Sequence, residues 1–299
     1  RRLFAKALET PGGLKILTIH AFCQNLLSRF PLEAGVPPSF RVLDEQTARE
    51  TMAQSRAHVL ERAGGGDALL ASALAHILTE TSETQLQLVL DAALGTDRRK
   101  LDRFFDSLGA EQDAMRQTLP RAHGADAEGS ASDIMSAFCE AMRSEEPLLR
   151  ALCSWLATGS KTDVERSADL ARALDRGFAV AAFADFKTFF LTGKGEPRKV
   201  LATTKLAAGA PDLLARAIAL GERFLAAEMS RRAAYAAGLA EAALTVTDAV
   251  RREYGRLKRS RCALDYDDLI VETLKLLNRS NAASWILYKL DGGLDHILI

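Results

Sequence analysis

The chain carries no net charge: 39 Lys and Arg balance 39 Asp and Glu. A protein that finds a polyanion through its overall charge is thereby excluded, and any basic surface must be local. Cysteine is scarce, with four at positions 23, 139, 153 and 262 and no Cys-x-x-Cys spacing. That speaks against a zinc site or a disulfide framework and fits a reducing, cytoplasmic setting. No apolar run reaches the roughly 20 residues that a membrane span needs. Arg1-Arg2 leads into a short mixed segment rather than the apolar core of a signal peptide. Proline and aromatic residues are also few, with 8 Pro and 6% Phe, Trp and Tyr. Ala and Leu fill their place, which is the composition of a mostly α-helical protein.

What is there begins at Leu14 to Cys23. Ile16 to Ile19 is a short apolar run containing β-branched residues and predicts a buried strand. Phe22, Leu26, Leu27 and Phe30 then recur at helical spacing until Pro31 ends the helix. Thr18 and His20 fall where the strand would give way to the helix, the place where open α/β sheets bind ligands. By themselves two such residues are as well read as loop or capping groups.

Further along, Asp44 with Thr47 predicts a helix start, and Gly64-Gly65-Gly66 ends that helix. A phosphate-binding loop needs a strand before its glycines and Lys-Ser/Thr after them, and this triplet has neither. Helical patterns cover 68–78, 83–94, 97–119, 131–156, 162–183 and 211–257, with a polar Gly-containing loop at 120–132. Phe183, Phe186, Phe189 and Phe190 precede a turn rich in cations: Lys194, Arg198 and Lys199, with Lys187 and Lys205 nearby. Rings interleaved with cations suit a single-stranded nucleic acid, whose bases stack and whose phosphates pair. The other reading makes the Phe side chains core and the turn a solvated surface. The most basic run, 251–261, is either a solvated helix face or a DNA contact. It leads to Asp265-Tyr266-Asp267-Asp268-Leu269, an acidic cluster at a helix start, where the helix dipole favours carboxylates. Trp285 and Tyr288 are expected in the core, before a closing strand at 294–299.

Thr18-Ile19-His20-Ala21-Phe22, the run Arg29 to Val36, and Asp265-Tyr266-Asp267-Asp268-Leu269 together resemble one family. They are similar to the Thr-x-His and Asp-Phe-Asp-Asp-Leu motifs of UvrD/Rep-like superfamily 1 helicases, with Tyr266 where Phe is common. Within these the chain most resembles the AddA-type helicase–nuclease subunit of bacterial double-strand-break repair. The resemblance implies a mostly α fold, with a large helical 1B-like insertion in a partial RecA-like α/β domain of two or few short parallel strands. Residues 1–40 and 263–299 would form the RecA-like 1A part and 41–262 the helical accessory domain. Thr18, His20 and Phe22 would face single-stranded DNA, and the insertion, with Lys194, Arg198 and Lys199, would flank the duplex. ATP and Mg²⁺ would serve the parent enzyme, and an AddB-like subunit would be its partner.

The chain contains no Gly-x-x-x-x-Gly-Lys-Ser/Thr and no Asp-Glu-x-Gln-Asp. We therefore expect a segment between the two nucleotide motifs of a longer motor, with no catalytic residue of its own and no hydrolysis or unwinding by itself. Two rivals remain at this point. One is a stand-alone helical DNA-binding or scaffold module. The other is a metal-dependent hydrolase using Asp265, Asp267 and Asp268.

Overall fold

A computed structural model describes residues 17–79, 82–94, 98–108 and 129–279, together with 285–286 and 288–289. The described chain is mostly helical, with two short parallel strands in an open sheet. It forms two compact units. The first comprises Arg1–Ser107 and Ala243–Ile299, the second Leu108–Ala242.

In unit 1, α1 (Ile19–Arg29) begins on Thr18, whose hydroxyl oxygen accepts from the Ala21 N–H at 3.2 Å. This differs from the expected strand over 16–19. Residues 17–18 are not strand and Ile19 already lies in the helix, because the Thr18 cap satisfies a free N–H that a strand would leave to a neighbour. Residue 16 and the strand expected at 294–299 lie outside the described residues. Pro31 opens a one-turn helix α2 (Pro31–Ala34), closed by Gly35 in the left-handed region at φ 73°. The parallel pair is formed instead by β1 (Arg41–Val42) and β2 (Ala263–Leu264), in register Arg41↔Ala263 and Val42↔Leu264.

Helix α3 (Glu45–Gly64) starts on Asp44, whose carboxylate accepts from the Thr47 N–H at 2.7 Å. Its end at Gly64 is as the sequence predicts. Helices α4 (Ala68–Leu78), α5 (Glu83–Leu94) and α6 (Arg98–Leu108) follow. The core under α1 consists of Cys23, Leu26, Leu27, Phe30, Ala34 and Val36, with Leu269 and Leu276 of α13 (Tyr266–Asn278) and Ile286. Leu26, Leu27 and Phe30 supply the buried stripe at helical spacing that the sequence shows. Trp285 and Tyr288, expected in this core, are 46% and 72% exposed. Ile286 takes the interior place, and Trp285 only edges the Phe30 ring at 5.2 Å.

Unit 2 is helical. Helix α7 (Ala131–Arg143) opens with a capping box between Ser130 and Asp133, and α8 (Glu146–Leu156) starts afresh with Pro147 in its first turn instead of continuing α7. Another capping box, Ser160 with Asp163, starts α9 (Lys161–Asp175). The expected single helix 162–183 breaks at Gly177 and Phe178, both left-handed at φ 65° and 61°. Burial of the Phe178 ring in the core offsets the strain of that conformation. Then come α10 (Ala182–Phe190), α11 (Thr204–Ala207) and α12 (Pro211–Ser260), a 50-residue helix shared by the two units. Seven Phe side chains, at 138, 178, 183, 186, 189, 190 and 224, fill one core with stacked and edge-on rings.

Candidate nucleic-acid interface

Two polar motifs far apart in sequence meet in unit 1. His20 sits in the first turn of α1 and Tyr266 in the first turn of α13. Their rings pack edge to face, with centroids 5.1 Å apart and planes at 70°. Such pairs contribute about 0.5–1.5 kcal/mol beyond the area they bury. Both helices anchor this junction from below. Phe22, one turn behind Thr18, is half-buried against the cluster that holds Leu269 and Leu276. Thr18 is exposed, His20 half-buried and Tyr266 48% exposed. The junction thus presents an exposed hydroxyl, a half-buried imidazole and a phenol side by side, groups that suit positioning contacts to phosphate and sugar.

The acidic cluster is organised from beneath by Lys258, which is 3% exposed. Its ammonium donates to Asp265 Oδ2 at 2.6 Å and to Asp268 Oδ2 at 2.5 Å, and lies 4.4 Å from the centroid of the Tyr254 ring. The Tyr254 hydroxyl donates to the same Asp265 oxygen at 3.0 Å. Asp265 and Asp268 also cap α13 reciprocally: Asp265 Oδ1 accepts from the Asp268 N–H, and Asp268 Oδ2 from the Asp265 N–H. Both carboxylates are therefore fully engaged in starting the helix and holding a buried cation. This favours the helix-start reading over a metal-dependent hydrolase. Asp267 is exposed.

Much of the basic run 251–261 is paired inside unit 1. Arg251 bonds Asp102 and Asp248 and covers the Phe105 ring, and Arg256 bonds Glu253. Arg261 bonds Thr51 and Gln54. Glu253 Oε1 also accepts from His58 Nδ1 at 2.9 Å. Hydrogen bonds from Arg256, working against burial and helped by His58, hold the Glu253 carboxyl at about 2.

In unit 2 the basic turn is a short hairpin, bridged between Leu191 and Pro197. Lys194 and Lys199 are exposed. Arg198 is half-buried and donates to the Thr188 carbonyl at 3.1 Å. The four preceding Phe are all interior, none more than 3% exposed. They do not form the stacking surface that their alternation with cations suggests; helical spacing turns them into the core instead. Thr203, beyond the hairpin, donates from its N–H and hydroxyl to the buried Asp163 at 2.9 and 2.7 Å.

Sequence reasoning missed Lys258 and Tyr254 as partners of the acidic cluster. The signal was present, since the two are four apart on one helix and so share a face. It also missed Glu228, a buried carboxylate of α12 that collects Lys187, Arg231 and Arg232.

The site lies where a helix following a capped turn meets a second helix opened by an acidic motif, an arrangement on which a nucleic-acid strand can be positioned. The family model of the UvrD/REP helicase N-terminal domain matches residues 4–299. The chain belongs to that family, and is thus a domain of a UvrD-like superfamily 1 DNA helicase. A search of curated proteins finds no match. ATP and Mg²⁺ serve this family generally, but the described residues do not fit either group. Gly65 and Gly66 join two helices, and Asp265 and Asp268 are taken up by Lys258. No described helix is long and apolar enough to cross a membrane.

Proposed function

We propose that this chain works within an ATP-dependent DNA helicase of the AddA helicase–nuclease type, acting in double-strand-break repair and recombination beside an AddB-like partner. Residues 1–40 and 263–299 belong, in this reading, to the first RecA-like domain. Residues 41–262 form the helical 1B-like accessory domain, of which 108–242 includes the second compact unit. Thr18 and His20 position the single strand, Phe22 anchors α1 behind them, and Lys194, Arg198 and Lys199 contact DNA from the accessory domain. Asp265, Tyr266, Asp267 and Asp268 are the motif that braces the strand-facing side.

The observation that carries this reading is the His20–Tyr266 ring contact, which joins the Thr-x-His motif to the acidic motif at adjacent helix starts. Contacts of this kind fix where the strand lies without reading its bases. In the full-length enzyme, His20→Ala lowers the stimulation of ATP hydrolysis by single-stranded DNA while leaving basal hydrolysis in place. Stimulation unchanged in that variant removes His20 from the DNA path.

A further inference from the structure

The two oxygens of Asp265 have separate partners. Oδ1 caps α13 by accepting from the Asp268 N–H at 2.8 Å. Oδ2 is held from α12, by the Lys258 ammonium at 2.6 Å and the Tyr254 hydroxyl at 3.0 Å. A helix cap needs only one oxygen. The second set of bonds asks for another reason, the more so because Lys258 is 3% exposed and an ammonium loses its hydration on burial. Apolar side chains of similar volume often hold such a place as firmly. What a buried, fully bonded ion cluster adds is one fixed geometry.

The local chain delivers that geometry. Tyr254 and Lys258 are four apart on α12 and share a face, with the ammonium 4.4 Å from the ring centroid. Helix α12 ends at Ser260, and Cys262, left-handed at φ 48°, turns the chain. The Cys262 and Leu264 carbonyls accept from the Arg41 and Leu43 N–H groups at 2.9 and 2.8 Å, so β1 fixes the course of the chain into Asp265. Tyr266, the first residue of α13, follows at once and packs edge to face on His20. An unbroken path of contacts thus runs from Lys258 and Tyr254 through Asp265 to Tyr266 and His20. All of it lies in unit 1.

We infer that Lys258 and Tyr254 are positioning residues for the strand-facing junction. Through Asp265 they fix where the Tyr266 ring stands against His20, and so set how tightly single-stranded DNA engages the enzyme. Neither touches the strand: Lys258 and Tyr254 are both buried, whereas Tyr266 is 48% exposed. The inference rests on the proposed helicase reading and deepens it.

The test is a double-mutant cycle in the full-length enzyme, with dT20 as the probe. The quantities read are the dT20 concentration that half-saturates the stimulation of ATP hydrolysis and the maximal stimulated rate. Tyr254→Phe keeps the ring beside Lys258 and removes only the hydroxyl, so it carries the test if Lys258→Met fails to fold. It should raise the half-saturating concentration about fivefold, the scale of one hydrogen bond to a charged group. Lys258→Met should raise it about tenfold, because two carboxylates lose their buried cation. In a Tyr266→Ala background, Tyr254→Phe should add less than about 1.5-fold, since residues that act through one another are not additive. The His20 imidazole signals of this chain without DNA should move in Tyr254→Phe toward their position in Tyr266→Ala. An effect of the same size with and without the Tyr266 ring would overturn the inference. So would a lower maximal rate at unchanged half-saturation, which is the mark of a merely structural role. His20→Ala and Tyr266→Ala separate this inference from the reading beneath it. If both leave half-saturation unchanged, the strand does not lie on the junction and both fall. If both raise it and Tyr254→Phe does not, the helicase reading stands and the positioning role does not.

Discussion

The two compact units bury themselves in different ways. Unit 2 is held by an aromatic core in which seven Phe rings touch one another. In unit 1 the acidic motif closes over a buried ion cluster, with Lys258 between Asp265 and Asp268. The contrast teaches which sequence signals mean packing and which mean a site. The dense Phe run at 183–190 looks like a binding surface and is interior. The ordinary-looking Thr18, His20 and Tyr266 come together from opposite ends of the chain at an exposed junction.

Three stability measurements sharpen this contrast, and a fourth tests where the units agree. The largest effect is expected at Phe186, which is fully buried and packs on the rings of Phe138, Phe178 and Phe190. Phe186→Ala should cost about 4 kcal/mol by leaving a cavity. Urea unfolding followed at Trp155, in unit 2, should show that loss. Next is Lys258→Met, which leaves two carboxylates without their buried cation and should cost about 3 kcal/mol. Followed at Trp285 in unit 1, a loss under 1 kcal/mol would mean that the ion cluster does not hold that unit together.

Gly159→Ala comes third. A Cβ there would lie 2.5 Å from Asp163 Oδ2 and 2.7 Å from Leu206 Cδ2. Overpacking of this kind should cost about 2 kcal/mol, and thermal unfolding of unit 2 would register it. The smallest effect concerns acid. Glu253 titrates at about 2 in the folded chain against an ordinary 4.5. Its contribution is therefore complete above pH 4.5 and lost as the pH falls toward 2. Glu253→Gln should flatten the acid unfolding of unit 1 in that window. Unit 2 should keep its own acid sensitivity, because Glu228 and Asp163 also stand at about 2. For each, burial opposes the charge and hydrogen bonds outweigh it: Arg231 and Lys187 on Glu228, Thr203 and Ser160 on Asp163.

Some local signals were legible. Asp44 starts α3 as expected, because its short oxygen-bearing side chain satisfies a free N–H, whereas the caps at Ser130 and Ser160 were not singled out. Helices α4 and α5 have the bounds that their apolar spacing predicts. What was not legible depends on distant partners. The strand expected near Ile16–Ile19 gives way to a helix start at Thr18, and the observed β1–β2 pair joins residues some 220 apart, which periodicity does not report. The same holds for the site. The motifs around His20 and Tyr266 could be read singly, but their contact could not. Lys258 was read as one more cation in a basic run, although it is nearly closed off from water between two carboxylates.

In the proposed function the His20–Tyr266 junction faces the single DNA strand. The most direct measurement is NMR of the imidazole signals of this chain, which has five His, during titration with a short oligo-dT. The His20 signals should shift as the strand saturates, while those of His58, held on Glu253, stay where they are. Saturation with no movement of His20 would contradict it.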